Sequence, residues 1–321
     1  MRSTPRPSAR LISRAVGGNL CGLSAWGERT WGPFAGALVH LSARAREQNG
    51  DMDAVASIPR TEMPPPSYIM SAEGYQLATY AWGEPDADPV LCVHGFASSC
   101  RDNWVETGWV RMLTAAGYRV IGVDQRGHGA SDKPDDPVAY SMSAFVSDLI
   151  AVLDTYLVDD VRYVGYSLGA RVGWQLAVDA PEHVSRAVLG GIPDGRPLGR
   201  LRIEQARAYA EKGIPVEDPV TLNYVKLAER VPDNDLRALI ALAEGMRFGD
   251  ADPDPERPPR QPVLFATGTE DAILERSRAL AATAPNGRFI EIPGRHHFNA
   301  PGSRAFRDAA AEFLAAEGAG V

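Results

Sequence analysis

Lysine is almost missing from this chain: Lys133, Lys212 and Lys226 are the only three, so nearly all of its 33 basic residues are arginine. A local cluster of arginines therefore carries less meaning here than it would in a lysine-rich chain. Cysteine is equally scarce. Cys21, Cys92 and Cys100 show no metal-ligand spacing, Cys92 reads as a buried strand residue, and a reducing cytoplasm is the expected home. Positive charge is in deficit, with 33 basic against 41 acidic residues and a net charge of −8. That balance argues against nucleic acid as a partner, because phosphate contacts need a basic face. No apolar run approaches the roughly 20 residues of a membrane span, and no internal repeat or heptad run occurs. Gly127-His128-Gly129 lacks the rest of a G-x-G-x-x-G and the later acid, which excludes a dinucleotide site there.

The first sixty residues also lack clear periodicity, yet they carry Arg2, Arg6, Arg10, Arg14, Arg29, Arg44 and Arg46 against few acids. A secretory signal needs an apolar stretch of about 7 to 15 residues, and Leu11-Ile12-Ser13-Arg14 breaks off at once. Residues 1–63 are expected to be a disordered leader or the product of a start codon placed too early, with Met52 or Met63 as the true start. Organellar or secretory targeting is the alternative. The chain as a whole, 321 residues at 45% hydrophobic content, suffices for one large α/β domain with an inserted subdomain.

What is present is concentrated in Gly165-Tyr166-Ser167-Leu168-Gly169. The run Val161-Arg162-Tyr163-Val164 before it reads as a buried strand, and Ala170 to Ala177 after it has helical spacing up to Pro181. A serine flanked by glycines two positions away fits a tight strand-to-helix turn, which pushes its hydroxyl out toward substrate. A serine hydroxyl is a weak nucleophile and needs a base, and the base needs an orienting group. Of the six histidines, His40 and His183 read as surface residues. His94 ends the strand Pro89–Val93, and His128 lies in the loop Asp124 to Ser131. The pair His296 and His297 follows the strand Gly287–Ile292 and precedes an amphipathic helix around Phe306 to Leu314. Asp271, after the strand Pro262–Thr267, supplies the carboxylate. Loops at strand ends along one edge are what an open parallel sheet provides, and the order is then Ser167, Asp271, His297.

These residues resemble the α/β-hydrolase fold family from roughly Tyr68 to Leu314. The resemblance rests on the His94-Gly95 turn, the Asp124-x-Arg126-Gly127-His128-Gly129-x-Ser131 loop, the Gly165-x-Ser167-x-Gly169 elbow, and the late Gly268-x-x-Asp271 and His297-Phe298 motifs. The order serine, acid, histidine is the family's. The resemblance implies a mostly parallel central sheet with helices on both faces and an inserted helical cap. It implies Ser167 as nucleophile, His297 as general base and Asp271 as the residue orienting the imidazole. The family usually shows Gly-His-aromatic; Phe298 fits, while His296 stands where the glycine is expected. Glu270 reads as a solvated neighbour, and Asp194 is a second candidate acid. Backbone N–H groups of Phe96 and Leu168 would form the oxyanion hole, with His94 and His128 holding loop shape and moving no proton.

The core is expected over residues 64–194 and 262–318, and the cap over 195–261. Three helices are expected in the cap, at about Arg200 to Lys212, Val220 to Arg230 and Asp233 to Met246, followed by a stiff proline-rich connector from Gly249 to Pro262. Leu201, Leu222, Leu227, Leu236, Ile240 and Leu242 read as helix packing, and Tyr209, Tyr224, Met246 and Phe248 as candidates to line a pocket. The expectation is a cofactor-independent serine hydrolase that cleaves a small to medium carboxylic ester through an acyl-enzyme. Carbon–carbon bond hydrolysis and peracid formation are alternatives on the same triad, and a ligand receptor is the non-enzyme alternative. Epoxide and haloalkane relatives fit less well, because they usually carry an aspartate where this chain has Ser167. The partner is a small molecule, with no nucleic acid and no membrane span; oligomeric state is open.

Overall fold

The central strand-forming runs in this chain are apolar without alternation, the pattern of a sheet buried on both faces. Val90, Leu91, Cys92 and Val93 are all fully buried. In this computed structural model the described residues are 61–193, 197–247 and 252–316. In chain order they form β1 (Ser67–Met70), β2 (Gln76–Trp82), β3 (Pro89–Val93), α1 (Trp109–Ala115), β4 (Arg119–Val123), α2 (Met142–Tyr156), β5 (Val161–Tyr166), α3 (Leu168–Asp179) and β6 (Val184–Gly190). There follow α4 (Ile203–Lys212), α5 (Pro219–Arg230), α6 (Leu236–Gly245), β7 (Val263–Gly268), α7 (Leu274–Ala281), β8 (Gly287–Ile292) and α8 (Arg304–Ala315).

The strands form one sheet in the order β1-β2-β4-β3-β5-β6-β7-β8. Pairing is antiparallel on both sides of β2 and parallel from β4 through β8. Side chains of successive residues go to opposite faces. Leu91, Val93, Tyr163, Leu189 and Phe265 pack with α2 and α3 through Phe145, Leu149, Val172 and Trp174. Cys92, Val164, Val188 and Leu264 pack with α1 and α8 through Trp109, Leu113, Phe306 and Phe313. Burying each such large side chain contributes about 1.5–3 kcal/mol. Cys92 and Cys100 are free and buried. No described helix is long and apolar enough to cross a membrane.

Local chemistry sets the helix limits. Ser141 caps α2 by accepting from the Ala144 N–H at 3.1 Å, and Leu157 ends it in the left-handed region at φ 54°. Asp218 caps α5, with Pro219 at the first helical position, a residue whose missing N–H has no role there. Asp235 caps α6, so that helix opens at Leu236 and not at Asp233. The expected helix from Arg200 begins at Ile203, because Pro197–Arg200 forms a separate 3₁₀ turn. β6 runs from Val184 to Gly190 and ends there because Gly191 turns away at φ 55°.

Among the described residues three α-helices, α4 to α6, thus lie between β6 and β7. The expected leader, residues 1–63, falls outside the described residues except at its end. There the Trp82 indole N–H donates to the Glu62 carbonyl at 3.0 Å and Met63 packs beside the sheet. His40, Cys21, Asp194 and Phe248 also lie outside the described residues.

Candidate active site

Because β3 to β8 run parallel, the loops that follow them emerge along one edge of the sheet. The loop after β5 is a single sharp turn. Ser167 sits at φ 52°, ψ −112°, a strained conformation for a residue with a side chain, and such strain concentrates at functional sites. The flanking glycines are there for space: a Cβ on Gly165 would lie 2.5 Å from the Gly169 carbonyl oxygen, and one on Gly169 would lie 2.0 Å from the Val93 carbonyl oxygen. The first glycine clears the other arm of the turn, and the second clears the end of β3.

The structure brings Ser167, His297 and Asp271 into one hydrogen-bonded line. The Ser167 hydroxyl meets His297 Nε2 at 2.9 Å, and His297 Nδ1 meets Asp271 Oδ2 at 2.8 Å. Asp271 follows β7 and its side chain is only 3% exposed, whereas that of His297, after β8, is 24% exposed. Asp271 Oδ1 also accepts from the Ile273 N–H at 3.2 Å, which fixes the carboxylate. His296 points away: it is exposed, and its ring Nδ1 accepts from the Phe298 N–H at 3.2 Å. Glu270 is likewise exposed.

Facing Ser167 is the loop after β3, in which a Cβ on Gly95 would lie 3.2 Å from the Ser167 Cβ. The Gly95 N–H donates to Asn103 Oδ1 at 2.8 Å. His94 Nε2 accepts from the Gln125 N–H at 3.0 Å, and its Nδ1 donates to the Gly95 carbonyl at 2.8 Å. His128 Nε2 accepts from the Ala97 N–H at 3.0 Å. Both rings are fully buried. Burial lowers the pKa of each; for His94 the Asp124 carboxylate opposes it, and for His128 the neighbouring His94 adds to it. Phe96 follows Gly95 in this pinned loop. Leu168 is the first residue of α3, where a backbone N–H has no partner within its own helix.

A family model described as the alpha/beta hydrolase fold matches residues 88–211. The AB hydrolase superfamily protein YfhM of Bacillus subtilis strain 168 is 31% identical over 265 residues, covering 72% of this chain and 91% of that protein. The chain belongs to the α/β-hydrolase family. Epoxide hydrolase B of Mycobacterium tuberculosis H37Rv is 34% identical over 145 residues, 42% of this chain and 40% of that protein. Among solved structures, the enol-lactonase from Burkholderia xenovorans LB400 superposes with a TM-score of 0.65 at 20% identity, covering 78% of this chain and 100% of that one. That last likeness is one of fold.

In this α/β-hydrolase the Ser167 hydroxyl opens into a cleft of about 620 Å³, lined also by Phe96, Leu168, Asp271 and His297. Its opposite wall is α5. Val220, Asn223, Tyr224 and Leu227 line the cleft at positions i, i+3, i+4 and i+7, one face of a helix. Leu227, expected as packing, does pack beside Ala97, Ala228 and Leu239 and also faces the cleft. Tyr224 and Met246 line it as well, whereas Tyr209 is turned aside, donating to Glu229 Oε1 at 2.7 Å.

Three further groups shape the site and carry no sequence signal of their own. Tyr166, inside the elbow motif, donates from its hydroxyl to the His297 carbonyl at 2.5 Å. Arg230 of α5 grips Asp102 through two bonds of 2.6 and 2.7 Å, while the Ser98 hydroxyl donates to the same carboxylate at 2.6 Å. Burial pushes the Asp102 carboxyl up, but these hydrogen bonds outweigh it and hold its pKa below the usual range. Asn234 adds a bond from Nδ2 to the Ala97 carbonyl at 2.9 Å. The inserted helices are in this way fastened to the loop that carries Phe96.

Proposed function

We propose that this α/β-hydrolase cleaves a carboxylic ester of small to medium size through a covalent acyl-enzyme. The observation that supports the reading is the continuous line from Ser167 Oγ to His297 to Asp271, at 2.9 and 2.8 Å, opening into the cleft. His297 Nε2 takes the serine proton as Oγ attacks the ester carbonyl, and the buried Asp271 carboxylate stabilises the imidazolium. The N–H groups of Phe96 and Leu168 receive the oxyanion. Collapse of the tetrahedral intermediate expels the alcohol, protonated by His297, and a water activated by the same imidazole releases the acid. No step calls for a cofactor. Helices α4 to α6, within residues 195–261, act as a cap that limits substrate size and excludes water. Ser167, at the position where epoxide-cleaving relatives usually carry an aspartate, favours acyl transfer.

Steady-state hydrolysis of p-nitrophenyl esters of increasing acyl length, wild type against Ser167→Ala, tests the reading. Loss of the nucleophile is expected to lower kcat by on the order of a millionfold with the thermal unfolding midpoint retained. Absence of turnover by the wild type on every ester overturns it.

A further inference from the structure

Much of the cleft wall is apolar, so every charge on it calls for a partner. Asp102 is held by Arg230 at 2.6 Å, and Asp271 by His297 at 2.8 Å. Burial draws the Arg171 guanidinium down to about 9, and the Asp252 carboxylate opposes this only in part. Arg200 remains. It lines the cleft from the turn Pro197–Arg200, its side chain is exposed, and among the described residues nothing bonds or pairs with it.

Its neighbours point the same way. Asn223 and Tyr224 of α5 line the same cleft. Burial pushes the Tyr224 hydroxyl up and the positive charge of Arg200 acts against it, so the guanidinium and the phenol share a neighbourhood. The Tyr224 ring itself is fixed edge-on against Phe96, with centroids 5.8 Å apart. A guanidinium, a carboxamide and a phenol can all donate hydrogen bonds, and the same cleft is lined by Leu198, Val220 and Leu227. A fork of donors in an apolar surround suits a planar anion, which arginine binds through two parallel bonds.

Building on the ester-hydrolase reading above, we infer that the preferred substrate carries a free carboxylate. The carboxylate is seated on Arg200, with Asn223 and Tyr224 beside it, while the ester carbonyl lies at Ser167. Arg200 is then a specificity-determining residue, and the substrate is a half-ester of a dicarboxylic acid or an ester of a hydroxy acid.

The test compares matched esters with and without the charge. The carboxylate is placed on the acyl side in mono-p-nitrophenyl succinate, glutarate and adipate, against neutral acyl esters of equal length. It is placed on the alcohol side in 4-acetoxybutanoate, against pentyl acetate in a pH-stat. In at least one arm, wild-type kcat/KM is expected to favour the charged ester by about tenfold or more, a difference of about 1.4 kcal/mol. Arg200→Gln should abolish that ratio, Arg200→Lys should keep part of it, and raising ionic strength from about 0.01 to about 1 M should shrink it. A preference for the neutral ester in both arms, or a ratio unchanged in Arg200→Gln, overturns the inference. If the wild type turns over neither series, the hydrolase reading fails, and calorimetric titration with glutarate decides the anion site separately. Binding that disappears in Arg200→Gln supports the site, and binding that is absent or unchanged overturns it.

Discussion

Two pairs of histidine rings stand at strand ends in this fold, His94 with His128 and His296 with His297, yet the pairs are used in opposite ways. His94, in the loop after β3, packs against His128, in the loop after β4, with ring centroids 4.9 Å apart, and the ring nitrogens of both bond backbone groups. In the loop after β8, His296 is solvent-exposed and His297 spends both nitrogens on side chains, one of them Ser167. The first pair acts as fixed hydrogen-bonding spacers in place of secondary structure. The second leaves one ring at the cleft, with its Nε2 against the Ser167 hydroxyl. What separates an imidazole that holds shape from one placed for the proposed proton transfer is which atoms meet its nitrogens and whether solvent reaches it.

The sharpest way to break this contrast is to delete each ring. His297→Ala is expected to lower kcat toward p-nitrophenyl esters by on the order of a millionfold, as loss of a triad base does elsewhere, with little change in the unfolding midpoint. His128→Ala should do the reverse in kind. It leaves the buried Ala97 N–H without its acceptor, at a cost of about 1–3 kcal/mol, read as a lower urea midpoint, and activity should fall only as the loop loosens.

Acidification sharpens the comparison further. Burial holds the pKa of His94 and His128 below the ordinary value in the folded chain, so both stay neutral where the unfolded chain already binds protons. Their contribution to stability is complete above the unfolded pKa of about 6.5 and is lost as pH falls toward the folded values, by up to about 1.4 kcal/mol per pH unit for each ring. Urea midpoints between about pH 7 and 5 should therefore decline, and the decline should be shallower in His128→Ala. A slope identical in the two proteins would show that His128 is not a source of it. The smallest effect belongs to His296→Ala, an exposed change expected to stay within about 0.5 kcal/mol in stability and to leave ester turnover near wild type.

Much of the fold was legible because strand ends in a parallel sheet are marked by abrupt changes of composition. Apolar runs stop at His94, Ser167 and Gly268, and each stop is itself a small or polar residue at the head of a tight loop. The motif around Ser167 was readable for a steric reason, since Gly169 faces the β3 backbone where no other residue fits. β1 was hard to see because only Ile69 of its four residues is buried. The face of α5 was equally hidden: Leu222 and Leu227 look alike in sequence, and only the docking of the helix decides that Leu227 meets the cleft. Arg230 and Asp102 stand 128 positions apart, and neither belongs to a motif, so their pairing is a property of the assembled molecule alone. Tyr166 occupies a variable place in the elbow pattern, where the pattern itself is silent about a hydroxyl reaching His297.

That hydroxyl ties the chain's middle to its end in time as well as in space. His297 lies 130 residues after Ser167, so at about 5–20 residues per second a ribosome needs on the order of ten seconds to pass from one to the other. During that interval the serine turn exists without the imidazole and without the carbonyl that Tyr166 holds. On the proposed mechanism a nascent chain halted before His297 turns over no ester, and the onset of activity marks the moment when the segment after β8 has docked.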